Sequence, residues 1–188
     1  FHYFVVWLNL KGSIGQGGAV MKFTSFGLLA YVIGGCADAF TSIRSFAVIT
    51  QFTYFTQAQQ QLALYGGVSM LFFGALYFAV PRLTGKTWAS AALIGGHATT
   101  AILGVLLLVI SLGVAGWTQG QALLKPAVTF PEIAAATRPW LLLATAAYAV
   151  LLVGNLMLVV NFLQTLAAKP TVPAATLFQA TSDIKETA

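Results

Sequence analysis

The chain has 188 residues, 59% of them hydrophobic and only 7% charged, against about 25% charged in ordinary soluble domains. A water-soluble domain does not accommodate that composition, whereas a bundle of membrane spans does. The net charge of +5 comes from basic residues scattered along the chain. Such scatter argues against nucleic acid and points to lipid head groups and the charge rule that orients membrane proteins.

In chain order, Phe1–Leu10 is apolar but only about half the roughly 20 residues that cross a bilayer. It lacks a basic leader and a small-residue cleavage site, so residues 1–20 are read as a partial apolar or interfacial helix followed by a Gly-rich link. No Lys-Ser/Thr follows those glycines, which makes the link a loop and not a phosphate cradle.

Four stretches then reach spanning length, at about 23–46, 62–80, 89–117 and 140–166. None alternates polar and apolar residues as barrel strands do. Residues 21–168 are therefore expected to form an all-α integral membrane domain of four transmembrane helices. Pro81, Arg82, Gly85 and Lys86 predict a tight turn between the second and third spans. Gln119 to Pro139, with Lys125, Pro126, Pro131, Glu132 and Arg138, reads as a longer loop. Residues 169–188, with Pro170, Pro173, Asp183, Lys185 and Glu186, read as a solvated tail.

Lysine and arginine divide unequally between the two sides. Lys11, Lys22, Arg82, Lys86, Lys169 and Lys185 fall on one, and Arg44, Lys125 and Arg138 on the other. The positive-inside rule puts the first loop and the C-terminal tail in the cytoplasm. Trp88, Trp117 and Trp140 fall at the expected interfaces, as an aromatic belt places them. The single Cys36 is read as a small buried hydrophobe and permits no intrachain disulfide.

Few polar residues stand inside the spans. Asp38, near the outer boundary, is expected to be neutralised by Arg44 about a turn and a half further on, or by a partner chain. Arg82 suits a head-group contact. His97, on a face with Gly96, Thr100 and Gly104, reads as a hydrogen-bonding packing residue, since a metal site needs partners and His2 is the only other histidine. Tyr31, Tyr65 and Tyr77 read as core or lipid-facing bulk. Gln57, Gln59, Gln60 and Gln61 form a polar helix entrance whose amides can satisfy free backbone groups, a lipid head group or a quinone.

Several segments, taken together, look familiar: Ser42-Ile43-Arg44, Gln51-Phe52-Thr53, Phe73-Gly74-Ala75-Leu76-Tyr77-Phe78, Val80-Pro81-Arg82-Leu83-Thr84-Gly85, the lone His97, and Gly116-Trp117-Thr118-Gln119-Gly120. From Phe23 to Leu166 the chain resembles the C-terminal part of the catalytic subunit, subunit I, of cbb3-type haem-copper cytochrome c oxidases. In that family the helix matching the second span begins with a His-x-His pair. At about 100° per residue, positions i and i+2 face opposite flanks of one helix, so each histidine serves a different haem. The matching positions here are Gln59 and Gln61. Further family histidines fall near Gln51 and Tyr54, and a family acidic residue falls at Ala37, next to Asp38.

Glutamine lacks the imidazole nitrogen that holds haem iron. The resemblance therefore implies a haem-less, non-catalytic membrane subunit with no cofactor of its own, haem and copper belonging to partner chains. Its implied partners are other membrane subunits of a respiratory oxidase complex, a c-type cytochrome subunit and lipids, with no nucleic acid, in the bacterial cytoplasmic membrane. An alternative is a fragment of a split oxidase catalytic subunit, active only with partner chains, which the partial helix at Phe1–Leu10 motivates. A transport or binding protein without a respiratory role is the third reading, and no paired charges or broken helices at the midplane support it.

Overall fold

The computed structural model describes residues 18–168. The apolar segment Phe1–Leu10 and the tail from Lys169 lie outside these residues. Five helices follow in order: α1 (Gly18–Thr41), the short α2 (Arg44–Thr50), α3 (Tyr54–Thr84), α4 (Ala91–Leu123) and α5 (Phe130–Ala167). No strand occurs among the described residues. Helices α1, α3, α4 and α5 are each long and apolar enough to cross a membrane, so the protein is an all-α membrane protein with four candidate spans. In the bilayer core every backbone N–H and C=O must find its partner inside the segment, which a helix does and an open strand does not.

The helices differ from the hydropathy boundaries in instructive ways. The first span stops at Thr41 instead of running to 46. There Thr41 Oγ1 donates to Ala37 O (2.9 Å) and Ser42 Oγ to Asp38 O (2.8 Å), and hydroxyls bonded back to the preceding turn compete with helix continuation. The segment expected to be a loop from Gln119 to Pro139 is mostly helical: α4 runs to Leu123 and α5 starts at Phe130. Glu132 accepts the Thr129 N–H at 2.7 Å across the start of α5, and Pro131 sits in the first turn, where its missing N–H costs nothing. Pro81 to Thr84 likewise belong to the last turn of α3, and the turn proper begins at Gly85, whose φ of 64° supplies the left-handed cap.

One stretch of α3, Leu62–Ser69, is wound as a π-helix and begins immediately after the glutamine run. Such wide turns are rare and often lie at functional sites.

Packing follows chain order: α1 lies on α3, α3 on α4, and α4 along most of α5. The core is formed by Phe23, Met70, Tyr77, Val105, Leu108, Ala147 and Leu151. Small residues set the helix separations. A β-carbon built at Gly104 would stand 2.6 Å from Leu151 Cδ2, and one at Gly96 2.9 Å from Met157 Sδ, so the predicted small-residue stripe is the α4–α5 contact. Gly116 and Gly120 go further: a β-carbon there would collide with the backbone of Phe55 and Ile49. Cys36 is exposed on α1, contrary to the expectation of burial.

Polar ties close one end of the bundle. Asn161 brackets Ser90, accepting from its N–H and donating to its C=O, both at 3.0 Å. Thr165 Oγ1 accepts the Ala89 N–H at 3.1 Å, and Lys86 Nζ donates to Leu166 O at 2.6 Å. The α3–α4 connection is thus fastened to the C-terminal end of α5.

Candidate functional site

The glutamine run lies where α1, α2 and α3 meet at the opposite end of the bundle. Thr53 starts α3: its hydroxyl accepts the Phe55 N–H at 3.2 Å and donates to Thr50 O at 2.7 Å. The following turns carry Gln57 and Gln60 to the surface, with Gln59 and Gln61 half-buried. Gln59 Nε2 donates to Asp38 Oδ1 (2.9 Å) and to Thr41 Oγ1 (2.8 Å). Both amide protons are therefore committed to α1. A recess of about 270 Å³ opens beside them, lined by Asp38, Thr41, Thr50, Gln51, Thr56 and Gln59.

Asp38 is thus matched by an amide and not by Arg44, which opens α2 beyond the Ser42–Ile43 break and makes no ion pair with it. Arg82, near the other end, is exposed. Its guanidinium donates to Phe78 O at 3.0 Å and stacks 3.5 Å over the Phe78 ring.

His97 sits apart from the glutamine run, in the second turn of α4 beneath the α3–α4 connection, and is fully buried. Its Nδ1 is 2.9 Å from the Tyr77 hydroxyl. The rings of Phe73 and Phe23 stand 4.7 and 4.9 Å from the imidazole. If Nδ1 donated, the Tyr77 proton and the Nε2 lone pair would both lack partners. With Tyr77 donating, only the Nε2–H is left over, so this tautomer wins. That Nε2 has no hydrogen-bond partner, and the adjacent Cδ2 lies against Gly154 of α5. Trp88 Nε1 donates to Tyr77 O at 3.0 Å and completes the cluster.

The partners of His97 are aromatic, Phe23 on α1 and Phe73 and Tyr77 on α3. Tyr65 and Tyr77 are more than bulk. Tyr65 and Asn155 exchange hydrogen bonds at 2.8 and 3.1 Å between α3 and α5. The paired signal was present in the sequence, since asparagine and tyrosine inside apolar spans seek partners, yet spacing alone does not say which.

Four apolar spans, joined by polar residues at both ends and around one buried histidine, define a multi-pass helical membrane protein. Residues 1–150 match the family described as cytochrome c and quinol oxidase polypeptide I, and the chain belongs to that family. No curated protein matches it.

Haem is the group this membership brings into question. Among the described residues His97 is the single histidine, and its ring packs against phenylalanine and tyrosine. No three His, Cys, Asp or Glu side chains lie close enough together to hold a metal among the described residues. The amide of Gln59 is occupied. Among the described residues the fit to an axially ligated haem rests on His97 alone, whose Nδ1 is taken by Tyr77.

Proposed function

We propose that the chain is a haem-less, non-catalytic relative of the cbb3-type subunit I, serving as a structural or accessory subunit of a respiratory electron-transfer complex. The observation that carries this reading is the pair Gln59 and Gln61, at the positions where the resemblance places two haem-ligating histidines. The hydrogen bonds of Gln59 to Asp38 and Thr41 support it, because they use the amide for helix docking. A neutral amide oxygen lacks the donor nitrogen that haem iron takes from histidine.

The role is one of surfaces. The helices retain a subunit I-like arrangement, and their outward faces, such as Leu142, Leu152, Leu156 and Leu163 on α5, are apolar and exposed. Those faces meet lipid or neighbouring membrane subunits, a c-type cytochrome subunit among them, and haem and copper reside in the partner chains. The lysine and arginine distribution supports a C-terminal end on the cytoplasmic side of the bacterial inner membrane.

The test is haem content. The chain is purified in mild detergent, alone and within its assembly. Reduced-minus-oxidised spectra and acid-acetone extraction are then expected to give no haem attributable to this polypeptide. One b-type haem per chain, retained by the isolated protein, overturns the reading and returns the alternative of an active oxidase fragment.

A further inference from the structure

We infer that a groove at the glutamine end of the bundle, between α3, α4 and α5, binds an anionic phospholipid. This does not depend on whether the chain carries haem. The groove is a recess of about 380 Å³ between Tyr54 at the start of α3, Gln119 near the end of α4 and the first four turns of α5, within the roughly 300–1,000 Å³ range of small-molecule sites. Its α5 wall includes Ile133, Thr137, Arg138, Leu141 and Leu142, positions three or four apart and so on one face of the helix.

The wall is ordered by chemistry along its length. Arg138 is exposed in it, and among the described residues it has no carboxylate partner. Of the two described acids, Asp38 is bonded to Gln59 and Glu132 to the backbone of Thr129. Trp140, two residues on, and Trp117 on α4 are the residue type that settles at the level of lipid head groups. Arg138 is therefore a bare guanidinium at phosphate depth. From Arg138 to Thr145 the wall descends about 10 Å at 1.5 Å per residue. Roughly 5–7 Å of that crosses the head-group layer, so the wall reaches the outer part of the hydrocarbon leaflet, and it passes Leu141 and Leu142. A cation above and an apolar slot below match a phosphate diester with its acyl chain.

A second recess adjoins the first through the shared residues Tyr54 and Gln119. It measures about 480 Å³ and presents the side chains of Gln57, Gln60 and Thr56. Gln119 is itself fixed there, its Oε1 accepting the Tyr54 N–H at 3.1 Å. These amides and hydroxyls suit the glycerol hydroxyls of a head group such as phosphatidylglycerol. A quinone would use the amides but has no need of the unpaired arginine, so the charge favours the phospholipid.

The full chain, delipidated in mild detergent, is given equal amounts of phosphatidylglycerol and phosphatidylcholine with matched acyl chains, and retained lipid is counted by native mass spectrometry. The wild type is expected to prefer phosphatidylglycerol by about fivefold, the effect of one basic residue on an anionic lipid. Arg138→Gln should abolish the preference, whereas Arg82→Gln, at the other end of the bundle, should keep it. Leu141→Trp should reduce retention of both lipids by filling the slot. Circular dichroism of each variant should match the wild type, and Arg138→Lys should restore part of the preference if Arg138→Gln folds poorly. Equal retention by the wild type, an unchanged preference in Arg138→Gln, or an equal loss in Arg82→Gln would each overturn the proposal.

Discussion

The two polar centres of this molecule obey opposite rules. At the glutamine end, Gln59 meets Asp38 and Thr41 in an exposed corner where the groups keep access to their surroundings. Toward the opposite end, His97 and Tyr77 are sealed among aromatic rings, and one nitrogen goes without a conventional partner. A hydrogen bond at the exposed corner can be exchanged for another; one at the sealed centre cannot. Polarity in the spans is therefore costly to disturb according to enclosure, not according to how unusual the residue looks in the sequence.

Substitutions can break that contrast. His97→Ala should be the most damaging, at about 4 kcal/mol, because it opens a cavity and strands the Tyr77 hydroxyl. Denaturation in mixed micelles, followed by circular dichroism, reads this directly. Asn161→Ala removes the bracket around Ser90, leaving its N–H without a partner and its C=O with only the long bond from the Ile94 N–H at 3.4 Å, for a loss of about 2 kcal/mol by the same assay. Tyr77→Phe keeps the ring packing and deletes only the bond to Nδ1, so about 1 kcal/mol is expected. A double-mutant cycle with His97→Ala isolates that pair. Gln59→Leu should cost less than about 0.5 kcal/mol, since Asp38 and Thr41 remain accessible to other partners. A Gln59→Leu loss equal to that of His97→Ala would erase the distinction between the two centres.

Much of the architecture was legible in the sequence because bilayer thickness imposes a simple length rule. Four apolar stretches gave four spans. Their ends were not legible, because hydropathy reports where the chain is apolar, whereas a helix continues as long as its backbone is satisfied. Gln119, Glu132 and Arg138 look like loop residues, yet they sit on helices that extend past the apolar zone. The break after Thr41 was hidden for the converse reason: the local sequence remains largely apolar, and hydroxyls bonded to the preceding turn, as at Thr41 and Ser42, also occur within unbroken helices, as at Thr100 and Thr145. The stripe of Gly96 and Gly104 was readable from spacing. The docking of Gly116 and Gly120 against other helices was not, since nothing in a sequence names the backbone that will lie opposite. Asp38 invited pairing with the nearest arginine, and only the fold brings Gln59 to it from 21 residues away.

The glycines carry a consequence for how this chain can change. At Gly35, Gly95 and Gly113 a β-carbon would meet open space, so any residue that suits lipid is admissible there. At Gly116 and Gly120 the opposing backbone leaves one letter of the alphabet. Surface and lipid-facing positions can drift, but these two points are fixed by the thickness of a neighbouring main chain. They act as benchmarks from which diverged sequences of this architecture can be aligned, even where the chemistry has been rewritten.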